Sequence, residues 1–211
     1  MRAAGAPEGV VEIDHSTAMK PEVFDRPFDK KGWIFELKYD GFRMLAASGP
    51  EGVRLLYKSG KDAKRYFPEI ATAVAALPFS RVVLDGEVVM LDAAGRPSFQ
   101  ALQRRARQMP GPSLPAATGV TFFVFDLLAL DGFDLRPLPL VERKAILRRV
   151  LPEIGPLRYI EDVPERGEDL YRAVAELGLE GVVAKRADSP YKGGYTRDWL
   201  KVRVDRVGDF V

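Results

Sequence analysis

Lys38, Asp40 and Arg43 fall within one hexapeptide, Lys38-Tyr39-Asp40-Gly41-Phe42-Arg43, directly behind the apolar run Trp33-Ile34-Phe35. That order suits a lysine nucleophile delivered by a strand, a chain reversal at the glycine, and an arginine placed to grip an anion. A lysine amine attacks only when neutral, and free lysine titrates near ~10.4. Neighbouring cations, partial burial or a bound metal ion favour the neutral form. The chemistry indicated is attack on an electrophile held among positive charges, such as a phosphoryl group. Five further segments follow the same plan, a strand carrying or ending in a charged group: Lys58-Ser59-Gly60, Asp85-Gly86-Glu87, Phe125-Asp126, Glu180-Gly181-Val182-Val183-Ala184-Lys185 and Trp199-Leu200-Lys201-Val202-Arg203. In the last, strand alternation points Lys201 and Arg203 to one face, an arrangement suited to an oligophosphate.

Composition removes several other chemistries. The chain has 211 residues and no cysteine, and its lone histidine is His15, in a polar stretch. Disulfides, thiolate metal sites, thiol catalysis, a Ser-His-Asp triad and a histidine metal cluster are thereby excluded. Net charge is only +2, but the cations cluster: Lys58, Lys61, Lys64 and Arg65; Arg104, Arg105 and Arg107; Arg143, Lys144, Arg148 and Arg149. Each cluster reads either as a phosphate-neutralising surface or as a solvated helix face. No apolar stretch approaches the ~20 residues that span a membrane, and Met1-Arg2-Ala3-Ala4 does not open a signal peptide. The expectation is a cytoplasmic monomer.

The elements that must position these groups follow from periodicity. Residues 1–32 read as an irregular lead-in. Trp33–Leu37 reads as a short strand, and Phe42–Ser48 and Val53–Tyr57 as a hairpin joined by Gly49-Pro50-Glu51-Gly52. Phe67, Ile70, Val74 and Leu77 recur at helical spacing. Arg81–Asp92 reads as a strand pair or one long strand, with a bulge or close backbone approach at Gly86. Ser98 is placed to cap a helix running to Arg107, Met109–Thr118 reads as a loop, and Val120–Phe125 as a buried strand ending in Asp126. Helices are expected over Val141–Leu151 and Glu168–Leu177, and strands over Gly181–Ala184 and Leu200–Val204. No βαβ repeat with a glycine-rich loop is present, so neither a Rossmann nor a P-loop reading is supported. The expected fold class is α+β, with mostly antiparallel sheets flanked by helices.

Taken in order, these segments resemble the motifs of the ATP-dependent DNA ligases, members of the covalent nucleotidyltransferases together with RNA ligases and mRNA capping enzymes. The likeness runs from about Ala18 to Arg203. It is carried by Glu36-Leu37-Lys38-Tyr39-Asp40-Gly41-Phe42-Arg43, by Ser98-Phe99-Gln100-Ala101-Leu102-Gln103, and by Phe125-Asp126-Leu127-Leu128-Ala129-Leu130-Asp131-Gly132. It is closest in wording to the ligase modules of bacterial non-homologous end-joining proteins. The resemblance implies an ATP-grasp-like nucleotidyltransferase (adenylation) domain over residues 1–203, with 204–211 as the linker and opening of an OB-fold domain. It also implies three steps: a lysine attacks the ATP α-phosphate, AMP passes to a DNA 5′-phosphate, and a 3′-hydroxyl seals the strand.

Carried over residue by residue, Lys38 is the nucleophile, Asp40 helps position the site, and Lys185, Lys201 and Arg203 supply a cationic field. Glu180 holds Mg²⁺ or Mn²⁺, and Glu87 binds the ribose or a metal. Arg43 contacts the ribose or a DNA phosphate, Lys58 belongs to the phosphate-binding set, Glu36 reads the adenine amino group, and Phe125 stacks on the base. From the residues alone, Phe125 reads equally well as core, Asp85 and Glu87 as turn residues, and Trp199 as packing. Lys58 stands where the family usually has arginine, and Arg203 where it usually has lysine; both keep the charge while changing its geometry. Implied partners are nicked or broken duplex DNA, a Ku-type end-binding protein, and polymerase and phosphoesterase modules. The alternatives are an RNA ligase, a capping-type guanylyltransferase, or a non-catalytic DNA-binding module of the same fold.

Overall fold

The structure is a computed structural model that describes residues 5–107, 119–152 and 155–204. The expected loop over Met109–Thr118 and all but the first residue of the 204–211 tail lie outside the described residues.

Two sheets stack face to face. One comprises β1 (Met19–Val23), β2 (Trp33–Leu37), β9 (Asp162–Pro164), β10 (Gly181–Arg186) and β11 (Gly194–Arg203), in the order β1-β11-β10-β2-β9. The other contains β3 (Phe42–Gly49), β4 (Gly52–Tyr57), β5 (Val82–Met90), β6 (Val120–Leu130) and β7 (Phe133–Asp134), in the order β4-β3-β5-β6-β7. A short β8 (Leu157–Tyr159) joins β6 in parallel. Helices α1 (Pro68–Ala75) and α2 (Phe99–Arg107) pack on the second sheet, α3 (Leu140–Val150) lies against β6, and α4 (Gly167–Glu176) covers β10 and β2.

Side-chain alternation builds the layers. Along β3, Met44 and Ala46 face the core that contains Phe67, Ile70 and Val74 of the α1 region, while Leu45 faces the core shared with Ile34, Met19 and Trp199 of the other sheet. In β6, Val124 and Leu127 enter the first core and Phe125 and Leu128 the second. A strand buried on both faces must be apolar nearly throughout, which is why β6 reads as a continuous hydrophobic run. Val174 of α4 closes the outer face of the first sheet against Val182 and Val202.

The expected elements are present, with instructive differences. The region read as a long strand or strand pair is the single strand β5, whose pairing with β6 shifts register at Asp85/Gly86. A Cβ at Gly86 would lie 2.4 Å from the Phe123 carbonyl oxygen, so only glycine lets the two backbones approach. Gly41 is similarly confined, its ideal Cβ falling 2.3 Å from the Val88 carbonyl oxygen. Ser98 does cap α2, its Oγ accepting from the Ala101 amide at 3.4 Å.

Three expectations change. The lead-in contains β1, paired in parallel with β11 at the sheet edge; Pro21 sits where the register breaks, as an edge strand permits. β11 begins at Gly194 rather than Leu200. β6 does not end at Asp126 but runs on to Leu130, because the buried Asp126 is neutralised by a two-pronged ion pair with Arg143 at 2.8 Å on each arm.

That pair also corrects the reading of the third basic cluster. Arg143 and Lys144 form neither a phosphate surface nor a solvated face; they are 0% and 3% exposed. Arg143 donates further to the Leu138 and Ser189 carbonyls, tying α3 to the segment after β10. In the second cluster, Arg105 is taken by Glu69 at 2.7 Å.

Candidate active site

The candidate residues converge on one cleft of about 880 Å³ between the two sheets. Lys38 follows the last residue of β2, and its amide donates to the Gly181 carbonyl at 2.9 Å, docking the end of β2 on the start of β10. This connection brings Lys38 Nζ into contact with Glu180 Oε1. Arg203 Nε lies 4.0 Å from the same oxygen. Lys38, Lys58, Lys201 and Arg203 share the corner, and burial, with the other three cations adding to it, holds the Lys201 amine below its ordinary range. Groups of one sign gathered this closely make a ready anion site.

The opposite wall is built from buried charge. Glu36 is 2% exposed, and its two oxygens are taken by different lysines: Oε1 by Lys144 at 2.7 Å and Oε2 by Lys185 at 2.5 Å. Lys185 Nζ also lies 4.0 Å from the Phe125 ring centroid and 4.3 Å from that of Trp199. Burial brings Lys185 down to about 8, with Glu36 opposing the shift and Lys144 adding to it.

Arg43 is held by the protein itself. Asp85 takes its guanidinium in a bidentate grip at 2.5 and 2.6 Å, and its NH2 nitrogen also donates to the Met19 carbonyl. Asp85 Oδ2 accepts from the Tyr191 hydroxyl as well. Arg43 therefore lines the cleft as a cation clamped through Nε and one terminal nitrogen, 4.3 Å from the Phe125 centroid. Phe125 itself is 6% exposed and has two cations against its ring, and Trp199 packs on its edge. Burial pushes Glu87 up to about 8 against the pull of Arg43 and Lys38. Asp40, Glu36, Lys38, Arg43, Lys58 and Glu87 line the cleft together with Phe125, Glu180, Lys185, Lys201 and Arg203, so the structure gathers in one place every residue to which the resemblance gives a site role.

The sequence matches the family described as ATP dependent DNA ligase domain over residues 16–203. The chain belongs to that family. It is 38% identical over 181 residues to the multifunctional non-homologous end joining protein LigD of Pseudomonas aeruginosa, a match covering 85% of this chain and 21% of the relative. It is 39% identical over 186 residues to a probable DNA ligase of Streptomyces coelicolor, covering 83% and 36% respectively. Among solved structures it resembles a mycobacterial DNA ligase D complexed with ATP and MES, with a TM-score of 0.75 and 32% identity, covering 92% of this chain and 62% of that one. A bacteriophage T7 ATP-dependent ligase, 16% identical with a TM-score of 0.65, shares the fold.

In this ligase domain, the residues fit a divalent cation. Glu180 Oε2 is buried and without a partner, and Glu87 lies on the same cleft with its proton held by burial, a state that a dication would reverse. Among the described residues no group of three or more acidic or histidine side chains forms a closed metal cage. Two carboxylates with room for waters and phosphates suit Mg²⁺, which dehydrates reluctantly.

Sequence reasoning missed Lys144 and Tyr191 of this domain. Lys144 lies in a helix outside every motif, and Tyr191 is an ordinary aromatic until Asp85 meets it. No helix among the described residues is long and apolar enough to cross a membrane.

Proposed function

We propose that this chain is the adenylation domain of an ATP-dependent DNA ligase, which loads AMP onto Lys38 and passes it to a DNA 5′-phosphate. The observation that carries this reading is the contact of Lys38 Nζ with Glu180 Oε1 inside a corner walled by Lys58, Lys201 and Arg203. The Nζ lone pair forms the N–P bond as the bond from the α-phosphorus to pyrophosphate breaks, and pyrophosphate departs with the electron pair. Glu180 Oε1 is placed to take the proton that Nζ gives up. Lys58, Lys201 and Arg203 neutralise the charge spread over the phosphoryl oxygens. Glu87 and Glu180 would hold Mg²⁺ or Mn²⁺, which supplies further charge neutralisation to the triphosphate.

Glu36 and Phe125 are assigned to the base end of the cleft, and Arg43 to the wall that fixes Phe125. Each Glu36 oxygen keeps a lone pair beyond its lysine, enough to accept from the adenine amino group. Sealing follows when a 5′-phosphate oxygen displaces Lys38 from AMP and a 3′-hydroxyl then displaces AMP. The proposed setting is the cytoplasm, where ATP and chromosomal DNA meet, in end-joining repair alongside a Ku-type protein and polymerase and phosphoesterase modules.

Incubation with α-phosphate-labelled ATP and Mg²⁺ tests the reading. Acid-labile label on the protein, with release of pyrophosphate and competition by ATP but not GTP, is expected. Equal competition by GTP would point to capping chemistry, transfer to nicked RNA alone to an RNA ligase, and salt-dependent DNA binding without any label to a non-catalytic module.

A further inference from the structure

Behind the nucleotide cleft, three charged side chains from three elements form a continuous chain: Lys144 of α3, Glu36 of β2 and Lys185 of β10. Their side chains are 4%, 2% and 2% exposed. Lys144 Nζ donates to Glu36 Oε1 at 2.7 Å and to the Ile160 carbonyl at 3.0 Å, and forms an ion pair with Asp162 Oδ1 at 3.3 Å. The Tyr159 ring lies 4.6 Å from it. A lysine that binds phosphate needs a path to the ligand, and Lys144, its side chain 4% exposed, has none. Burial pulls its titration down, but Glu36, Tyr159 and Asp162 outweigh that and hold it above the ordinary lysine range, so it stays a cation.

Glu36, by contrast, lines the cleft, as do Lys185, Phe125 and Ile160. Its carboxylate is stretched between two ammonium groups, each holding one oxygen, so its rotation about the terminal bond is blocked. Remove Lys144 and nothing holds Oε1; the carboxylate turns wholly to Lys185, closing a neutral pair at the wall of the cleft. We propose that Lys144 is a positioning residue for nucleotide recognition: from outside the cleft it fixes the Glu36 carboxylate so that one edge faces the base and only one oxygen is spent on Lys185. This rests on the adenylation reading above and deepens it, since Glu36 then discriminates by a geometry that Lys144 sets.

An ion pair serving only to dock α3 predicts something else. Breaking a buried pair of that kind lowers stability and leaves selectivity untouched. The discriminating readout is a ratio: the rate of adduct formation on the 211-residue chain with ATP, divided by the rate with purine riboside triphosphate, which lacks the 6-amino group. A hydrogen bond to a charged group is worth roughly a tenfold preference or more. Lys144→Met keeps the length and apolar stem of the side chain while removing the charge; it is expected to lower the ratio about tenfold. Lys144→Arg, which can still reach Glu36, Asp162 and the Ile160 carbonyl, is expected to restore the ratio to within about threefold of wild type. If Lys144→Met does not fold, the double variant Lys144→Met/Asp162→Asn, which removes the unpaired outer carboxylate, carries the same comparison. An unchanged ratio in a folded Lys144→Met or double variant, whatever the melting temperature does, overturns the proposal. So does a wild-type chain that forms adduct without preferring ATP over the analogue. A wild-type chain that forms no adduct with any nucleoside triphosphate overturns the adenylation reading itself, and the proposal with it.

Discussion

Replacing Asp126 with alanine is expected to cost about 3–5 kcal/mol of stability, because it strands the fully buried Arg143 guanidinium. For a domain of this size that is a fall in melting temperature of roughly 6–20 °C. The pair joins β6 to α3, and Arg143 also holds the Leu138 and Ser189 carbonyls, so the loss spreads to the segment that follows β10. Arg148→Ala on the same helix is the control. Its pair with Glu161 is exposed on both sides, 63% and 65%, and its loss is expected to stay within about 1 kcal/mol. Thermal denaturation followed by circular dichroism checks both, and an Asp126→Ala protein melting within about 2 °C of wild type would contradict the account.

The second large effect falls on rate rather than stability. Glu180→Gln keeps the shape of the side chain at the mouth of β10 but removes the carboxylate in contact with Lys38 Nζ. Without it the amine loses the carboxylate it touches, and the buried Oε2 that suits a metal ligand is replaced by an amide. Loss of a positioned proton acceptor lowers a rate by about 10²–10⁴-fold, and that is the expected fall in single-turnover adduct formation at saturating ATP. Glu180 is 22% exposed, so the melting temperature should move little. A rate within threefold of wild type would remove Glu180 from the proton path.

Part of the cleft was legible locally, while the roles of Glu36, Glu87, Phe125 and Glu180 came from the resemblance. Lys38 follows an apolar strand, Glu180 precedes another, and Lys201 and Arg203 share a strand face; none of these readings needs a distant partner. What was not legible depends on long-range pairing. Lys144 meets Glu36 across 108 residues and Tyr191 meets Asp85 across 106. A pair of cations within Arg143-Lys144 looks like a solvated helix face until the buried carboxylates that neutralise it are known. The strand β1 was hidden for a related reason. It is short, contains Pro21, and exists only as the parallel neighbour of β11, at the far end of the chain. Arg43 was read correctly as a cation at the cleft, but its capture by Asp85 required the register of β3 against β5, which places Leu45 rather than Arg43 opposite Asp85.

The central claim is that Lys38 is the nucleophile. Tandem mass spectrometry of peptides from ATP-treated protein, prepared at neutral pH to preserve an acid-labile N–P bond, tests it most directly. AMP is expected on the peptide containing Lys38, on the lysine itself, and on no peptide of Lys38→Arg. AMP on another residue, or undiminished labelling of Lys38→Arg, would contradict the assignment.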